Sequence, residues 1–149
     1  MRTHGHQPAA ERAIATFSKL GEHGSIWLGI AAAGALLDSD RRPEFKRAGL
    51  TIAAAYVANQ AIKVVVRRKR PRLEDLPPVV STHSQLSYPS AHASTSFAVA
   101  LILGDLLPRP ALYALAVPLA ASRPYLGVHY PSDSLAGAVL GTAIAELAR

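Results

Sequence analysis

Apolar residues along this chain fall in blocks separated by charged or proline-bearing stretches. Ile14, Phe17 and Leu20 recur at spacing three, with Glu11, Arg12 and Lys19 free to face outward, which predicts an amphipathic helix over residues 8–20. Its roughly 13 residues are too few to cross a bilayer core, so it is expected to lie at an interface. A second apolar block predicts a helix over residues 24–37, with Trp27 as a candidate interfacial anchor. After the break at residues 38–43, a longer helix is predicted from Glu44 through apolar residues 48–66 to about Arg70. Its apolar part approaches the ~20 residues a span requires. Residues 71–89 read as a long irregular link containing Pro77 and Pro78. Further helices are predicted over residues 90–107, 111–121 (with Pro118 as a kink) and 131–148.

No strand-like alternation persists, and no internal repeat is visible. The expected fold is all-α: a single-domain integral-membrane helical bundle of about six helices. The first is short and interfacial, and four or five cross or nearly cross the bilayer. Residues 1–7 are expected to be disordered. Small residues such as Gly29, Gly34, Gly137 and Gly141 would let helices approach closely. A soluble bundle is the alternative, but so many apolar blocks in a short chain leave little polar face to coat one.

With 149 residues there is room for one domain. The absence of cysteine excludes disulfides and thiol chemistry. Residues 1–8 are polar, with no cleavable-signal pattern. The net charge of +6 suits anionic lipid or phosphate better than nucleic acid, because few aromatics interleave with the basic residues and no nucleic-acid motif is present.

Three stretches hold the candidate chemistry. Lys63 and Arg70 are seven apart, so on one continuous helix both would project to the same face. Taken alone, residues 67–70 read equally well as a basic juxtamembrane cluster. Pro89, Ser90, Ala91 and His92 open a predicted helix, where free N–H groups and the helix dipole favour phosphate oxygens. A neutral His92 there can attack phosphorus; a lone histidine at a helix start is more often a cap. His129 and Asp133 are four apart across Pro131, so the carboxylate can orient the imidazole; a purely structural pair is the plainer reading. Arg123 adds a planar fork matched to phosphate. Further metal ligands are lacking around this pair, so no metal and no cofactor are expected.

The three stretches read Lys-x6-Arg-Pro, Pro-Ser-Ala-His and Ser-Arg-x5-His-x3-Asp, in that order. Together they resemble the pattern of the type 2 phosphatidic acid phosphatase superfamily, with Ala91 where the family carries glycine. The resemblance implies His92 as nucleophile, His129 as acid and base, and Asp133 as its partner. It also implies Lys63, Arg70, Ser90, Ala91 and Arg123 as the phosphate cradle, without metal. It points to a membrane lipid phosphatase acting through a phosphohistidine. The expected substrate is a polyprenyl (pyro)phosphate or a prenyl-phosphoryl sugar phosphate such as decaprenylphosphoryl-phosphoribose. Alternatives are a glycerophospholipid phosphatase acting on phosphatidic acid or phosphatidylglycerophosphate, a soluble acid phosphatase or haloperoxidase-like protein, and an inactive lipid-binding module. The expected setting is a bacterial cell membrane, multi-pass, with the site on the extracytoplasmic face; the oligomeric state is left open.

Overall fold

The computed structural model describes residues 7–72, 78–82 and 84–149. The expectation for residues 1–6 and for part of the link, including Pro77, lies outside the described residues. Six α-helices follow in order: α1 (Pro8–Lys19), α2 (Ser25–Leu37), α3 (Arg42–Val66), α4 (Ala91–Ile102), α5 (Arg109–Tyr125) and α6 (Pro131–Ala148). Single 3-10 turns at Glu22–Gly24 and Leu103–Asp105 follow α1 and α4. Among the described residues there is no strand, only an isolated bridge between Lys69 and Leu86.

The bundle is built around α4, which packs against α3, α5 and α6. All of α4 except Ala91 and Phe97 is buried, including the polar run Ser94, Thr95 and Ser96. Buried hydroxyls are costly unless bonded. Ser94 Oγ donates to the Ser90 carbonyl and Thr95 Oγ1 to that of Ala91, each at 3.0 Å. Ser96 Oγ accepts from Trp27 Nε1 at 2.8 Å. Trp27 is fully buried in the core, which corrects its reading as an interfacial anchor. Its indole N–H has a hydroxyl partner inside, so the ring can be buried without an unmade hydrogen bond.

Gly137 and Gly141 face the α4 backbone. A Cβ at Gly137 would lie 2.5 Å from the Ser90 carbonyl oxygen, and one at Gly141 would collide with that of Ser94. The glycines therefore set how closely α6 approaches the helix that bears His92. Gly141→Leu is expected to destabilise the bundle by at least about 3 kcal/mol, because backbone cannot yield as a side chain can. Gly29, with nothing within 4 Å of its would-be Cβ, is the control. Thermal unfolding followed by Trp27 fluorescence should show a lowered midpoint for Gly141→Leu and little change for Gly29→Leu.

Large apolar side chains cover the outside. Leu37 is 87% exposed, Val65 81% and Leu147 90%. Among the described helices, α3 alone has both the length and the hydropathy to cross a bilayer, and only 28% of its most apolar stretch is buried. A core helix of a soluble protein would be mostly buried, so an outward apolar α3 suits a lipid solvent.

Several helix ends differ from expectation, and α4, expected to reach residue 107, gives way after Ile102 to the 3-10 turn. α3 stops at Val66, and Arg67 adopts a left-handed conformation (φ 53°) that ends it. Lys63 and Arg70 therefore do not share a helical face. Beyond the apolar run, adjacent cations lose little by leaving the helix, and Pro71 disfavours helical geometry at Arg70. α5 is longer than expected at both ends. Pro110 sits in its first turn, where a missing N–H costs nothing. Pro124, near its end, leaves the Ala120 carbonyl without its helical donor, and Ser134 Oγ supplies one at 3.1 Å.

Candidate active site

The ends of α3, α4 and α5 and the loop before α6 surround a cavity of about 110 Å³. Lys63, Arg70, Ala91, His92, Arg123 and His129 line it. Ser90 and Asp133, both fully buried, do not line it. The Ser90 N–H donates to the Asp133 carbonyl at 2.9 Å, which ties the α4 and α6 starts together. Segments spread over some 70 positions, from Lys63 to Asp133, thus meet at one end of the bundle.

Lys63 is buried in the last turn of α3. Arg70 reaches the cavity from extended chain. Its Nε donates to the Ser84 carbonyl at 2.8 Å, and its Nη1 to the Val128 carbonyl at 2.6 Å. The same Nη1 lies 3.1 Å from His129 Nε2. Arginine only donates, so Nε2 accepts and the His129 proton sits on Nδ1. Nδ1 faces Asp133 Oδ2 at 3.5 Å, a long contact. Asp133 is held more firmly by others. Oδ2 accepts from the Tyr130 N–H and Oδ1 from Arg68 Nη1, each at 2.9 Å. The carboxylate thus caps α6, neutralises Arg68 and faces the imidazole. Gly127, in the left-handed region (φ 76°), turns the chain from α5 into this loop.

Burial is the main cause that lowers the pKa of His129, to about 4. Arg70, Arg123 and Lys63 push the same way, while Asp133 opposes them. These effects together favour the neutral imidazole. A bound phosphate offsets the three cations and raises its proton affinity again.

His92 lies in the first turn of α4, which begins at Ala91, with Ser90 as the extended N-cap. Helix formation thus starts two residues after Pro89. Ala91 is not among the residues of positive φ, so alanine in place of glycine is unstrained. His92 Nε2 lies 3.0 Å from the Ser18 carbonyl. A carbonyl only accepts, so Nε2 carries the hydrogen and Nδ1 keeps the lone pair. Ser18 Oγ in turn accepts from Arg123 Nη1 at 2.9 Å. Ser90 Oγ, Arg123 Nε and His129 Nδ1 are buried with no hydrogen-bond partner among the described residues. Such orphans usually await a ligand or water.

Four contributors escaped sequence reasoning. Arg68 is one of four adjacent basic residues, and nothing in sequence separates it from Arg67 or Lys69. Tyr130 stacks under the Arg68 guanidinium, 3.9 Å from ring centroid to Cζ. Ser18 sits on the buried face of α1 beside Phe17, a position that hinted only at packing. Asn59 was the findable one: with Gln60 it interrupts an apolar stretch of helix, and it lies one turn before Lys63 on the same face. Its Nδ2 donates to Ser94 Oγ at 2.9 Å and to the Pro89 carbonyl at 3.2 Å, tethering the start of α4.

Comparison with known proteins identifies the family. The sequence profile of the PAP2 superfamily matches residues 45–149. The decaprenylphosphoryl-5-phosphoribose phosphatase of Mycolicibacterium smegmatis is 40% identical over 131 residues, covering 88% of this chain and 73% of the relative. Its namesake from Mycobacterium tuberculosis is 42% identical over 130 residues, covering 87% and 73%. The transmembrane PAP2-type phosphatidylglycerolphosphate phosphatase of Bacillus subtilis superposes with a TM-score of 0.77 at 27% identity, over 96% of this chain and 76% of that one. LpxE of Aquifex aeolicus shares the fold, with a TM-score of 0.82 at 24% identity over 97% and 87%. With the profile, the mycobacterial relatives and the shared fold in agreement, the chain belongs to the PAP2 superfamily and is a membrane phosphatase.

Proposed function

We propose that the protein hydrolyses the terminal phosphate of a prenyl-phosphoryl sugar phosphate, decaprenylphosphoryl-phosphoribose being the best match, through a phosphohistidine and without a metal. The observation that supports this most is the convergence of Lys63, Arg70, Arg123, His92 and His129 on one small cavity. Three cations spread the charge of a phosphoryl group and stabilise it as it moves to the equatorial oxygens. The first-turn N–H groups of α4 add donors, and we assign Ser90 Oγ, buried without a partner just behind the cavity lining, the same role.

Neutral His92 attacks phosphorus through the ring nitrogen that keeps its lone pair, forming a P–N bond as the bond to the leaving oxygen breaks. His129, protonated once phosphate offsets the surrounding cations, gives its proton to that oxygen. Neutral again, it takes a proton from water as the water attacks the phosphohistidine, which releases phosphate and restores His92. Asp133 holds the imidazole orientation throughout.

The choice of lipid rests on the mycobacterial relatives, whose identity of 40% and 42% exceeds the 27% of the Bacillus subtilis phosphatase. The latter's name supports phosphatidylglycerophosphate as the second reading. We place the pocket on the extracytoplasmic face. Arg41, Arg42, Lys46 and Arg47 cluster at the start of α3, about 30 Å along the helix from Lys63. The positive-inside tendency assigns that cluster to the cytoplasm. At the other end, Arg68 and Arg70 are engaged by Asp133 and the pocket.

A phosphate-release panel in detergent tests the proposal. It spans prenyl-phosphoryl sugar phosphates, prenyl phosphates and diphosphates, phosphatidic acid and phosphatidylglycerophosphate. The highest kcat/KM is expected on the sugar phosphate, with inhibition by vanadate and none by EDTA. Loss of activity in EDTA that a divalent metal restores would overturn the metal-free scheme, and a preference for phosphatidylglycerophosphate would overturn the substrate.

A further inference from the structure

The cavity has a second wall without cationic side chains. Besides the phosphate-facing groups, Glu22, His23, Tyr56 and Gln60 line it. Tyr56 and Gln60 precede Lys63 on α3 at spacings of seven and three, so the three form one stripe. At a rise of about 1.5 Å per residue, Gln60 lies roughly 4.5 Å and Tyr56 roughly 10.5 Å from Lys63 toward the middle of the apolar helix. Glu22 and His23 come from the turn between α1 and α2. His23 Nδ1 is 3.2 Å from the Tyr56 hydroxyl, so the two elements join at the far end of the stripe.

The turn is shaped to put these side chains there. Glycines bracket it, Gly21 for want of room and Gly24 for its left-handed φ of 73°. A Cβ at Gly21 would lie 2.8 Å from His92 Cδ2, and one at Gly24 would lie 3.0 Å from Ile52 Cγ2. The backbone is thereby pressed against His92 on one side and α3 on the other. Between them His23 adopts φ 52°, a left-handed conformation uncommon outside glycine. Backbone outliers of this kind concentrate at functional sites.

A bare lipid phosphate has no use for this wall. Its phosphate would fill the cationic end, and its chain would follow directly along apolar surface. Glu22 and His23 are exposed at the rim of the cavity, and Tyr56 and Gln60 are half-buried, so these polar groups are open to a ligand that extends beyond the phosphate. Glu22 can only accept hydrogen bonds when ionised, and it repels a second phosphate. Its charge also favours the Arg123 cation, but that accounts for neither Tyr56 nor Gln60. An acceptor, an amide and a phenol set one to two turns from a phosphate cradle match a spacer rich in hydroxyl groups.

We infer that Glu22, His23, Tyr56 and Gln60 form a headgroup subsite for a sugar lying between the cleaved phosphate and the lipid chain. This rests on the lipid-phosphate reading above and deepens it. The phosphate fixes one end, and the sugar hydroxyls exchange hydrogen bonds with Gln60 and Glu22. The Tyr56–His23 pair closes the subsite where the lipid begins.

The test compares losses between substrates. Glu22→Gln, Tyr56→Phe and Gln60→Leu are purified in detergent. Each is assayed on prenyl-phosphoryl-phosphoribose, on its deoxyribose analogue, on bare prenyl phosphate and on phosphatidylglycerophosphate. At least one variant is expected to lose about ten-fold more kcat/KM on the ribose substrate than on bare prenyl phosphate, chiefly through KM. The excess loss should shrink on the deoxy analogue if the missing hydroxyl was the partner. Equal losses on all substrates would mean that these residues serve only the fold or Arg123, and no loss would mean no contact with the headgroup; either result overturns the subsite. Failure of the parent reading shows in the wild type alone. A wild type that prefers phosphatidylglycerophosphate removes the prenyl sugar, and the same excess is then sought on its glycerol hydroxyl. A wild type that prefers bare prenyl phosphate removes both.

Discussion

Protein carrying His92→Ala is expected to release phosphate at least about 10⁴-fold more slowly than wild type, with KM little changed. The loss is this large because covalent catalysis disappears as a whole: the remaining cations and His129 still bind the substrate but have nothing to deliver to phosphorus. The buried ring lies against Gly21, and its Nε2 donates to the Ser18 carbonyl. Alanine therefore leaves a small cavity and an unpaired carbonyl, and a melting curve must accompany the assay. His92→Asn separates the two effects, because an amide can donate to Ser18 but does not attack phosphorus. Rapid acid-free quenching with labelled substrate should trap protein-bound phosphate in the wild type and none in either variant. Residual activity within 100-fold of wild type, in a folded variant, would remove His92 from the chemistry.

The second large effect is expected at Asp133. Its side chain is fully buried, with one oxygen on the Tyr130 N–H, the other on Arg68, and His129 Nδ1 at 3.5 Å. In Asp133→Asn the oxygen that caps α6 is also the one that faces His129, so the amide donor either turns toward Arg68 or takes that position and gives up the cap. Facing the imidazole, that donor opposes a proton on Nδ1, the tautomer that leaves Nε2 free for the leaving oxygen. The expected fall in kcat is about 10²- to 10⁴-fold, by analogy with the orienting acid of a catalytic triad. Stability should move much less. Arg68 is 37% exposed and water can solvate it once the carboxylate charge is gone. A kcat within ten-fold of wild type would show that Arg70, which bonds Nε2 directly, orients His129 without help from Asp133. Arg68→Ala is the companion measurement, with a milder loss of about ten-fold, since the carboxylate keeps its place on Tyr130.

Much of this architecture is legible in the chain because its signals are local. The apolar block that became α3 and the glycines that became the α4–α6 contact each depend on neighbours within a turn or two. The three motifs were readable for the same reason, and six of their eight named residues line one cavity. Failures came where competition was not local. The basic run after Val66 could extend a helix or leave it, and the bridge from Lys69 to Leu86 and the bond from Arg70 to Ser84 decided that it leaves. α5 runs past its expected end at residue 121 because the donor that Pro124 lacks is supplied from Ser134, ten residues away. Trp27 looked like a surface anchor because Ser96, its partner, is 69 positions distant.

The order and spacing of Lys63, Arg70, Pro89, His92, Arg123, His129 and Asp133 were determined by sequence alone, and so was an apolar helical scaffold with phosphate-binding groups. Those properties are intrinsic to residue type and spacing along a helix. Only the tertiary structure decided which carbonyl holds His92, which arginine shares Asp133 with His129, and that Glu22 and Tyr56 belong to the same cavity as Lys63. Each of these pairs residues from different elements, and such contacts follow from how helices pack, which no stretch of chain encodes by itself.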